Sequence, residues 1–415
     1  MSYPRIAPAI LAVAALSACH GTAPSGARHT APLAASATRC VPPTLPEYAQ
    51  LTANPRLPNP FRFQNGAAVV DAAGWQCRRA ELAALVQRFE LGEKPLLTGD
   101  AVHGTFNADT LQVTVTRGGK AISFPVRITY PREGRGPYPA MIGMGAVSLD
   151  HAQLLRQGVA IISFPNNELA EQQGAASRGK GKFYELYGSG HAAGAMSAWA
   201  WGTSRLIDAL EKTPQANIDP ARLGVTGCSR NGKGAIVAGA FDERIALTIA
   251  QESGNGGASG WRIANAQLAA GQNVQTLRQI VQENVWFTDS FRQFAESANR
   301  LPFDQHSVMS LIAPRAFLVL ENTSMEWLGN QSAYLTSLAA RATWTALGAP
   351  HAMGFSQVGG HAHCQLPASQ FAHVNGFVKT YLLGERTSTS SVQETDGTFR
   401  KDLSEWVDWP TPKLR

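Results

Sequence analysis

Short apolar runs alternate with amphipathic stretches along the middle of this 415-residue chain. The alternating run over residues 122–130 predicts a half-buried strand, and continuous apolar runs predict strands buried on both faces. These buried strands are expected at 139–143, 159–164, 223–226, 245–250, 316–320 and 353–358. Helical spacing predicts helices at 196–210, after Asn231, at 333–347 and at 370–383.

This alternation of strands and helices predicts an α/β fold, in which a mostly parallel central sheet lies between two layers of helices. The segments 168–190 and 253–310 are expected to be long loops that build a site above the carboxyl ends of the strands. We expect one domain over residues 40–400, followed by a tail, 401–415, that lies on its surface.

The N-terminus has the pattern of an export signal. Arg5 precedes an apolar run over residues 6–16, which is too short to span a bilayer. The run ends in Leu16-Ser-Ala-Cys19, which resembles a bacterial lipoprotein signal with Cys19 as the lipidated residue. An ordinary cleaved signal is the alternative. Residues 20–39 are rich in Ala, Ser, Thr and Gly, which predicts a flexible tether.

Composition narrows the class of protein. Hydrophobic residues make up 44% of the chain and charged residues 16%, which excludes a disordered or coiled-coil chain. The net charge of +6 is spread along the sequence, so we expect no nucleic-acid partner, although an anionic substrate would suit it. Because no C-x-x-C spacing occurs, a zinc ribbon is not expected, and we predict no metal and no cofactor.

The chain has five cysteines, and four remain if Cys19 belongs to the signal. An even number suits an oxidising compartment, and four cysteines allow three pairings. Cys40 with Cys77 would tie the N-terminal segment to the domain, and Cys228 with Cys364 would join two distant loops.

A nucleophile candidate lies in Gly227-Cys-Ser-Arg-Asn-Gly232, between a buried strand and a helix. Ser229 on such a sharp turn would have an exposed hydroxyl beside a helix N-terminus. The second glycine is one position later than in the usual G-x-S-x-G spacing, so an ordinary serine helix cap is the alternative.

A serine nucleophile needs a histidine base, and the loop Gly359-Gly-His-Ala-His-Cys364 offers two. A disulfide holds its Cα atoms about 5.5 Å apart. If Cys228 pairs with Cys364, their neighbours Ser229 and His363 are brought together, which favours His363 over His361. His361 would then shape the loop by hydrogen bonding.

The acid that orients the base has three candidates. Glu252 ends the strand after the nucleophile helix, whereas Glu321 and Glu326 follow a later strand. The usual position of the acid in this kind of fold favours Glu321 or Glu326.

Several strings of the sequence resemble one known family, the glucuronoyl methylesterases of carbohydrate esterase family fifteen. They occur in the same order over about residues 40–385: Leu57–Phe61, Gln76–Arg79, Gly227–Lys233, Gln251–Gly254, Asn273–Thr276, Glu283–Phe287, Glu321-Asn322 with Glu326–Gly329, and Gly354–Gln365.

The resemblance implies an α/β-hydrolase fold and cleavage of esters between lignin alcohols and the glucuronic acid side groups of xylan. It implies that Ser229 is the nucleophile, His363 the base and Glu252 the acid, against the fold-based preference above. It further implies an oxyanion-stabilising arginine, a disulfide beside nucleophile and base, and a sugar-binding set: Arg230; Cys228 with Cys364; Lys233, Gln275, Glu283 and Trp327.

The sequence also departs from the fungal pattern. Gly260 stands where many fungal members have a cysteine, and Ser324-Met325 lengthens the stretch before Trp327. The lipoprotein-like start and the absence of a cellulose-binding module suggest a bacterial member that acts at the cell envelope, and a monomer is the default expectation. Two alternatives remain, an esterase for acetyl or aryl esters and a non-catalytic carbohydrate-binding lipoprotein.

Overall fold

A ten-stranded sheet runs through the part of the chain that the computed structural model describes, residues 40–41, 43–390 and 392–414. The predicted signal, Cys19 and the tether lie outside these residues. The strands, β1 to β10 in chain order, are Ala101–Asn107, Thr110–Arg117, Lys120–Thr129, Tyr138–Met144, Ala160–Phe164, Ile218–Cys228, Ile245–Gln251, Ala316–Glu321, Met353–Gln357 and Gln393–Thr395.

The strand order is β1-β2-β3-β5-β4-β6-β7-β8-β9-β10. The pairs that join β1 to β2, β2 to β3 and β3 to β5 are antiparallel, and the others are parallel. The carboxyl ends of β6, β7, β8 and β9 therefore meet at one edge, which is where ligands bind in open α/β sheets.

Eleven α-helices, α1 to α11, occur in the described ranges: Ala72–Val86, His151–Arg156, Asn166–Leu169, Lys182–Tyr187, Ala195–Lys212, Arg230–Phe241, Trp261–Ala269, Leu277–Glu283, Gln305–Ser310, Asn330–Ala346 and Ala368–Tyr381. None of the helices in these ranges is at once long enough and apolar enough to cross a membrane.

Alternation within the strands builds a core on each face of the sheet. In β8, Phe317 and Val319 belong to a large cluster, into which α1, α5, α6 and α10 also pack. Leu318 and Leu320 point the other way, into a smaller cluster with α2 and α11. Because both faces are covered, the strand residues are buried throughout, and the predicted three-layer architecture with a mostly parallel sheet is confirmed.

The elements differ from the predictions mainly where polar residues interrupt the apolar pattern. The antiparallel strands β1 and β2 were not predicted, since they lack a continuous apolar run: one residue of β1 and three of β2 are buried. The two segments expected to be loops contain short helices, namely α3 and α4 in the first and α7, α8 and α9 in the second. The site is therefore framed by ordered elements.

Both ends of the described chain are fixed to the body. The Cys40–Cys77 disulfide joins the first described residues to α1. At the other end the indole Nε1–H of Trp409 donates to the Leu57 carbonyl at 3.0 Å. Leu414 is buried, and its N–H donates to the Ala346 carbonyl at 2.9 Å.

Candidate active site

Ser229 lies on a tight turn between β6 and α6. Its φ is 58° and its ψ −128°, in a region that costs a non-glycine residue about 1–3 kcal/mol. Its N–H donates to the Gln251 carbonyl at 2.9 Å, which ties the turn to β7. A Cβ on Gly227 would lie 2.4 Å from the Asn231 carbonyl oxygen, and one on Gly232 2.8 Å from that of Gln251. The late glycine of the motif is therefore needed for the turn to close.

Glu252 and His363 form a close pair at the ends of β7 and β9. The Nδ1 atom of His363 lies 2.6 Å from Oε2 of Glu252. Since a carboxylate only accepts, Nδ1 carries the hydrogen, which leaves Nε2 free to act as a base. The other carboxylate oxygen accepts the N–H of Cys364 at 3.0 Å. The side chain of Glu252 is buried, with 1% of the residue exposed. Its backbone has a φ of 46°, in the left-handed region, and its N–H donates to the Leu320 carbonyl at 2.6 Å.

The second disulfide joins this pair to the nucleophile turn. Cys228 and Cys364 are bonded, with their Cα atoms 5.7 Å apart. Ser229 and His363 are their immediate neighbours, so one covalent link connects the two loops.

His361 occupies a different environment from His363. Its Nε2 lies 2.8 Å from the Val358 carbonyl and its Nδ1 3.1 Å from that of Ala362. Both ring nitrogens thus face backbone carbonyls, and the side chain is 6% exposed, against 34% for His363. His361 braces the loop, and His363 is the ring with a nitrogen open to a substrate.

The carboxylates that fold position favoured, Glu321 and Glu326, lie elsewhere. Oε1 of Glu321 accepts the N–H and the hydroxyl of Ser253 at 3.0 and 3.1 Å and the N–H of Gly254 at 3.3 Å. Burial, reinforced by the neighbouring Glu252, raises the pKa of Glu321 to about 8. Glu326 is exposed on a 3₁₀ turn, Glu326–Leu328. The preference for Glu321 or Glu326, which was based on the usual position of the acid in the fold, is therefore wrong, because Glu252 is the carboxylate that contacts His363.

Arg230, the first residue of α6, extends from the nucleophile turn into solvent. Its Nη1 donates to Oε1 of Gln172 at 3.3 Å, and the same oxygen accepts the Nε1–H of Trp286 at 3.0 Å. Gln172 and Trp286 are not among the site residues predicted from the sequence. Trp286 lies within one of the matching strings, whereas Gln172 lies in an expected loop with no distinguishing pattern.

Lys233 is buried one turn along α6 from Ser229. Its Nζ donates to the Ser253 carbonyl at 2.6 Å and lies 5.4 Å from the centre of the Trp286 ring. Burial lowers the pKa of Lys233 to about 8, while the nearby Glu321 and Glu283 oppose this shift. Lys233 is therefore a buried cation in contact with the turn after Glu252, and the alternative of a surface lysine does not apply.

The remaining members of the proposed sugar-binding set also come together. Nε2 of Gln275 donates to Oε2 of Glu283 at 2.7 Å. The backbone N–H of Gln275 donates to the carbonyl of Trp327, which is half-buried on the 3₁₀ turn. Gln275 is 6% exposed and Glu283 is exposed, so the pair presents polar atoms at the rim of the site.

One cluster in the described chain has donor atoms close enough together to hold a metal, formed by Cys228, His363 and Cys364. Both sulfurs are joined in the disulfide, so neither can serve as a thiolate ligand.

Comparison with known proteins places this geometry in one family. The family described as "Glucuronyl esterase, fungi" matches residues 113–348. The chain is 50% identical over 364 residues to a 4-O-methyl-glucuronoyl methylesterase of Podospora anserina, covering 86% of this chain and 75% of that protein.

Solved structures agree. The glucuronoyl esterase catalytic domain from Hypocrea jecorina superposes with a TM-score of 0.85 at 46% identity, covering 90% of this chain and 100% of that one. A mutant of the glucuronoyl esterase from Sporotrichum thermophile, in complex with methyl 4-O-methyl-β-D-glucopyranuronate, gives 0.84 at 44% identity, with 88% and 97% covered.

The expectation of a bacterial member is wrong, because the sequence is more similar to fungal members of the family than to a bacterial one. The relatives just named are fungal, whereas the glucuronoyl esterase from the bacterium Caldicellulosiruptor kristjansonii shares 30% identity, with a TM-score of 0.76 and 88% of this chain covered. The sheet, the site and the similarity together show that this chain belongs to the glucuronoyl esterase family of α/β-hydrolases.

Proposed function

We propose that this protein hydrolyses esters in which the acid is glucuronic acid or its 4-O-methyl derivative, as carried by glucuronoxylan, and the alcohol is of the lignin type. The observation that carries the proposal is the 2.6 Å contact between His363 and Glu252, covalently tied to the Ser229 turn by the Cys228–Cys364 disulfide. The relatives named as glucuronoyl methylesterases support the substrate class.

The reaction has two steps. His363 takes the hydroxyl proton of Ser229 as its oxygen attacks the ester carbonyl, and the alcohol then leaves with that proton. Water hydrolyses the acyl-enzyme with His363 again as the base. Glu252 holds the imidazole in the Nδ1–H tautomer and stabilises its cation.

The developing oxyanion is met by Arg230 and by backbone N–H groups at the start of α6. Loss of one preorganised donor of this kind costs about 10²–10³ in rate. The guanidinium is exposed in the free protein and tethered through Gln172. It can therefore turn toward the substrate without losing a buried partner.

Four residues serve as the sugar-binding set. Lys233 offers a cation, Gln275 and Glu283 offer a donor and an acceptor, and Trp327 offers an aromatic face. None of these groups is needed for attack on a simple acetate, so they carry the preference for the uronate.

The test is steady-state hydrolysis of a benzyl ester of glucuronic acid, compared with an aryl acetate. We expect a strong preference for the uronate ester and its loss in Ser229→Ala. Activity on the acetate alone would keep the triad but refute the substrate proposal. Turnover retained by Ser229→Ala would refute the serine mechanism.

A second candidate, an esterase for acetyl or aryl esters, shares the triad but does not need Lys233. We expect Lys233→Ala to raise KM for the uronate ester by about tenfold or more, since hydrogen bonds to charged groups contribute about 1.5–3 kcal/mol. The acetate should be hydrolysed almost as before. An equal loss on both esters would favour the second candidate.

We also propose that the protein is exported and acts as a monomer, on its own or anchored through lipidated Cys19. The two disulfides support export, since such bonds persist in oxidising compartments. Mass spectrometry of the mature N-terminus distinguishes lipidation of Cys19 from simple cleavage, and light scattering measures the oligomeric state.

A further inference from the structure

The C-terminal segment 392–396 reaches the edge of the site. It runs beside β9, where the Phe355 N–H donates to the Val392 carbonyl at 3.0 Å and the Asp396 N–H to the Gln357 carbonyl at 3.2 Å. Gln357 is the last residue of β9, so Asp396 stands at the point where that strand gives way to the loop bearing His363.

The Asp396 carboxylate binds two loops at once. Oδ1 accepts the hydroxyl of Thr323 at 2.5 Å, and Oδ2 accepts the backbone N–H of Gly359 at 2.8 Å. Thr323 belongs to residues 322–329, the β8 loop, which carries Trp327. Gly359 belongs to residues 358–364, the β9 loop, which carries His363.

The two loops are already in close contact where Asp396 joins them. The Gly360 N–H donates to Oγ of Ser324 at 2.7 Å. A Cβ on Gly359 would lie 2.6 Å from Oγ1 of Thr323 and 2.8 Å from Oγ of Ser324, so a larger residue would push the loops apart or displace these hydroxyls. Ser324 belongs to the lengthened stretch before Trp327. Through this hydrogen bond, a residue that departs from the family pattern contacts the loop that bears His363.

The two ends of the β9 loop are held in different ways, the far end by a covalent link and the near end by hydrogen bonds. Its far end is fixed by the Cys228–Cys364 disulfide and by the bond from Cys364 to Glu252. Its near end contains Gly359 and Gly360, which leave the backbone free to adopt many conformations. Asp396 supplies an anchor from outside both loops, by a charge-assisted hydrogen bond to one of these glycines.

We infer that Asp396 is a positioning residue, which holds the β9 loop so that His363 meets Ser229 and couples this loop to the one bearing Trp327. The inference rests on the proposed role of His363. It assigns a function to residues 392–396, which lie near the end of the expected domain and before the predicted surface tail, 401–415.

The test compares Asp396→Ala and Asp396→Asn in the full-length protein. We expect Asp396→Ala to lower kcat on benzyl glucuronate by about tenfold, less than the roughly 10²-fold that a 1 Å misplacement can cost. KM should change less than kcat, and kcat on an aryl acetate should fall in parallel, since both reactions use His363. Asp396→Asn should recover most of the rate, because its amide oxygen still accepts from Gly359 and its NH₂ can donate to Thr323.

Asp402→Ala is the matched control. Asp402 lies six positions further along the same exposed segment, but its carboxylate accepts from Ser404 in its own turn. Its removal should leave kcat unchanged. The inference would be overturned if Asp396→Ala had the kcat of the wild type, or if Asp402→Ala lost as much kcat as Asp396→Ala.

The acetate measurement separates this inference from the proposed function. A wild type that hydrolyses the acetate but not the uronate ester refutes the substrate proposal, and the Asp396 variants still report on His363. A wild type without Ser229-dependent turnover on either ester refutes both. If Asp396→Ala does not fold, Thr323→Val replaces it, because this variant removes the hydroxyl that Asp396 accepts. Thr323→Val should lower kcat by less than the expected loss in Asp396→Ala, and a kcat equal to that of the wild type would overturn the inference.

Discussion

The ends of β7 and β8 lie side by side, and each places a glutamate in the interior, yet the two carboxyl groups have different surroundings. Glu252 and Glu321 are both 1% exposed. Glu252 faces the β9 loop and binds the imidazole of His363. Glu321 faces back into the turn that follows Glu252 and binds Ser253 and Gly254.

The difference shows that the donors around a carboxylate, and not its strand, decide what it can do. In the proposed mechanism the partner of Glu252, His363, becomes a cation during the reaction. Glu321 has neutral donors on one oxygen, and burial raises its pKa to about 8, so it is protonated at neutral pH. A neutral Glu321 holds the turn without adding a second negative charge beside Glu252.

The largest effect is expected from the removal of Glu252. Replacement by alanine should lower kcat on benzyl glucuronate by about 10³–10⁴-fold, since the base loses its tautomer control and its counter-charge. Glu252→Gln should be nearly as damaging. The exposed Glu326 offers a control, and Glu326→Gln should be as active as the wild type. A loss below tenfold in Glu252→Ala would mean that another group orients His363.

Removal of Glu321 should have a smaller and different effect. Glu321→Ala leaves the buried N–H groups of Ser253 and Gly254 without an acceptor, which should cost about 1–3 kcal/mol in the free energy of unfolding. Activity should fall about tenfold through the displaced turn. Glu321→Gln keeps the acceptor, so its kcat should stay within about threefold of the wild type.

The pH dependence of stability adds a readout for Glu321. A folded-state pKa raised to about 8 from 4.5 means that the folded protein holds a proton that the unfolded chain has lost. The stability from this group is fully present below pH 4.5 and is lost as pH rises through 8. Glu321→Gln should flatten this decline in urea denaturation, and an unchanged slope would contradict a protonated Glu321. Glu90, whose pKa burial also raises to about 8, leaves part of the slope in place.

The smallest expected effect concerns Lys233, which depends on the same turn through the Ser253 carbonyl. Burial lowers its pKa to about 8, so the ammonium is charged below this pH and neutral above it. KM for the uronate ester should therefore rise several-fold between pH 7 and 9, as a hydrogen bond from a charged donor is lost. In Lys233→Met, KM should be high and independent of pH over this range. A wild-type KM that stays flat would show that Lys233 does not bind substrate as a cation.

Sequence patterns were enough for the central strands, because β4 to β9 are covered on both faces and so consist of apolar runs. β6 comprises Ile218–Cys228 and is therefore longer than the predicted strand, 223–226. Its first part contains Asp219 and Arg222, which pair with each other, and these polar residues interrupt the apolar run on which the prediction was based.

In the site, spacing alone brought out Ser229 and the two histidines of the β9 loop. Glu252 was one of three acid candidates taken from strand ends, and only the family resemblance selected it. Its positive φ and its contact with His363 arise in the folded chain and leave no periodic pattern in the sequence. Gln172 could not be found from sequence. It matters through contacts to residues 58 and 114 positions away, which only the folded chain brings together.

The two cations beside Ser229 have a consequence for what happens after the ester is cleaved. The substrate carbonyl is neutral, but the acid that hydrolysis releases is an anion, formed close to Arg230 and Lys233. At 4 Å, opposite unit charges attract by about 4 kcal/mol at an effective dielectric constant of about 20. Departure of the uronate should thus become slow in dilute buffer, so that the enzyme is inhibited by its own acid product and added salt relieves that inhibition.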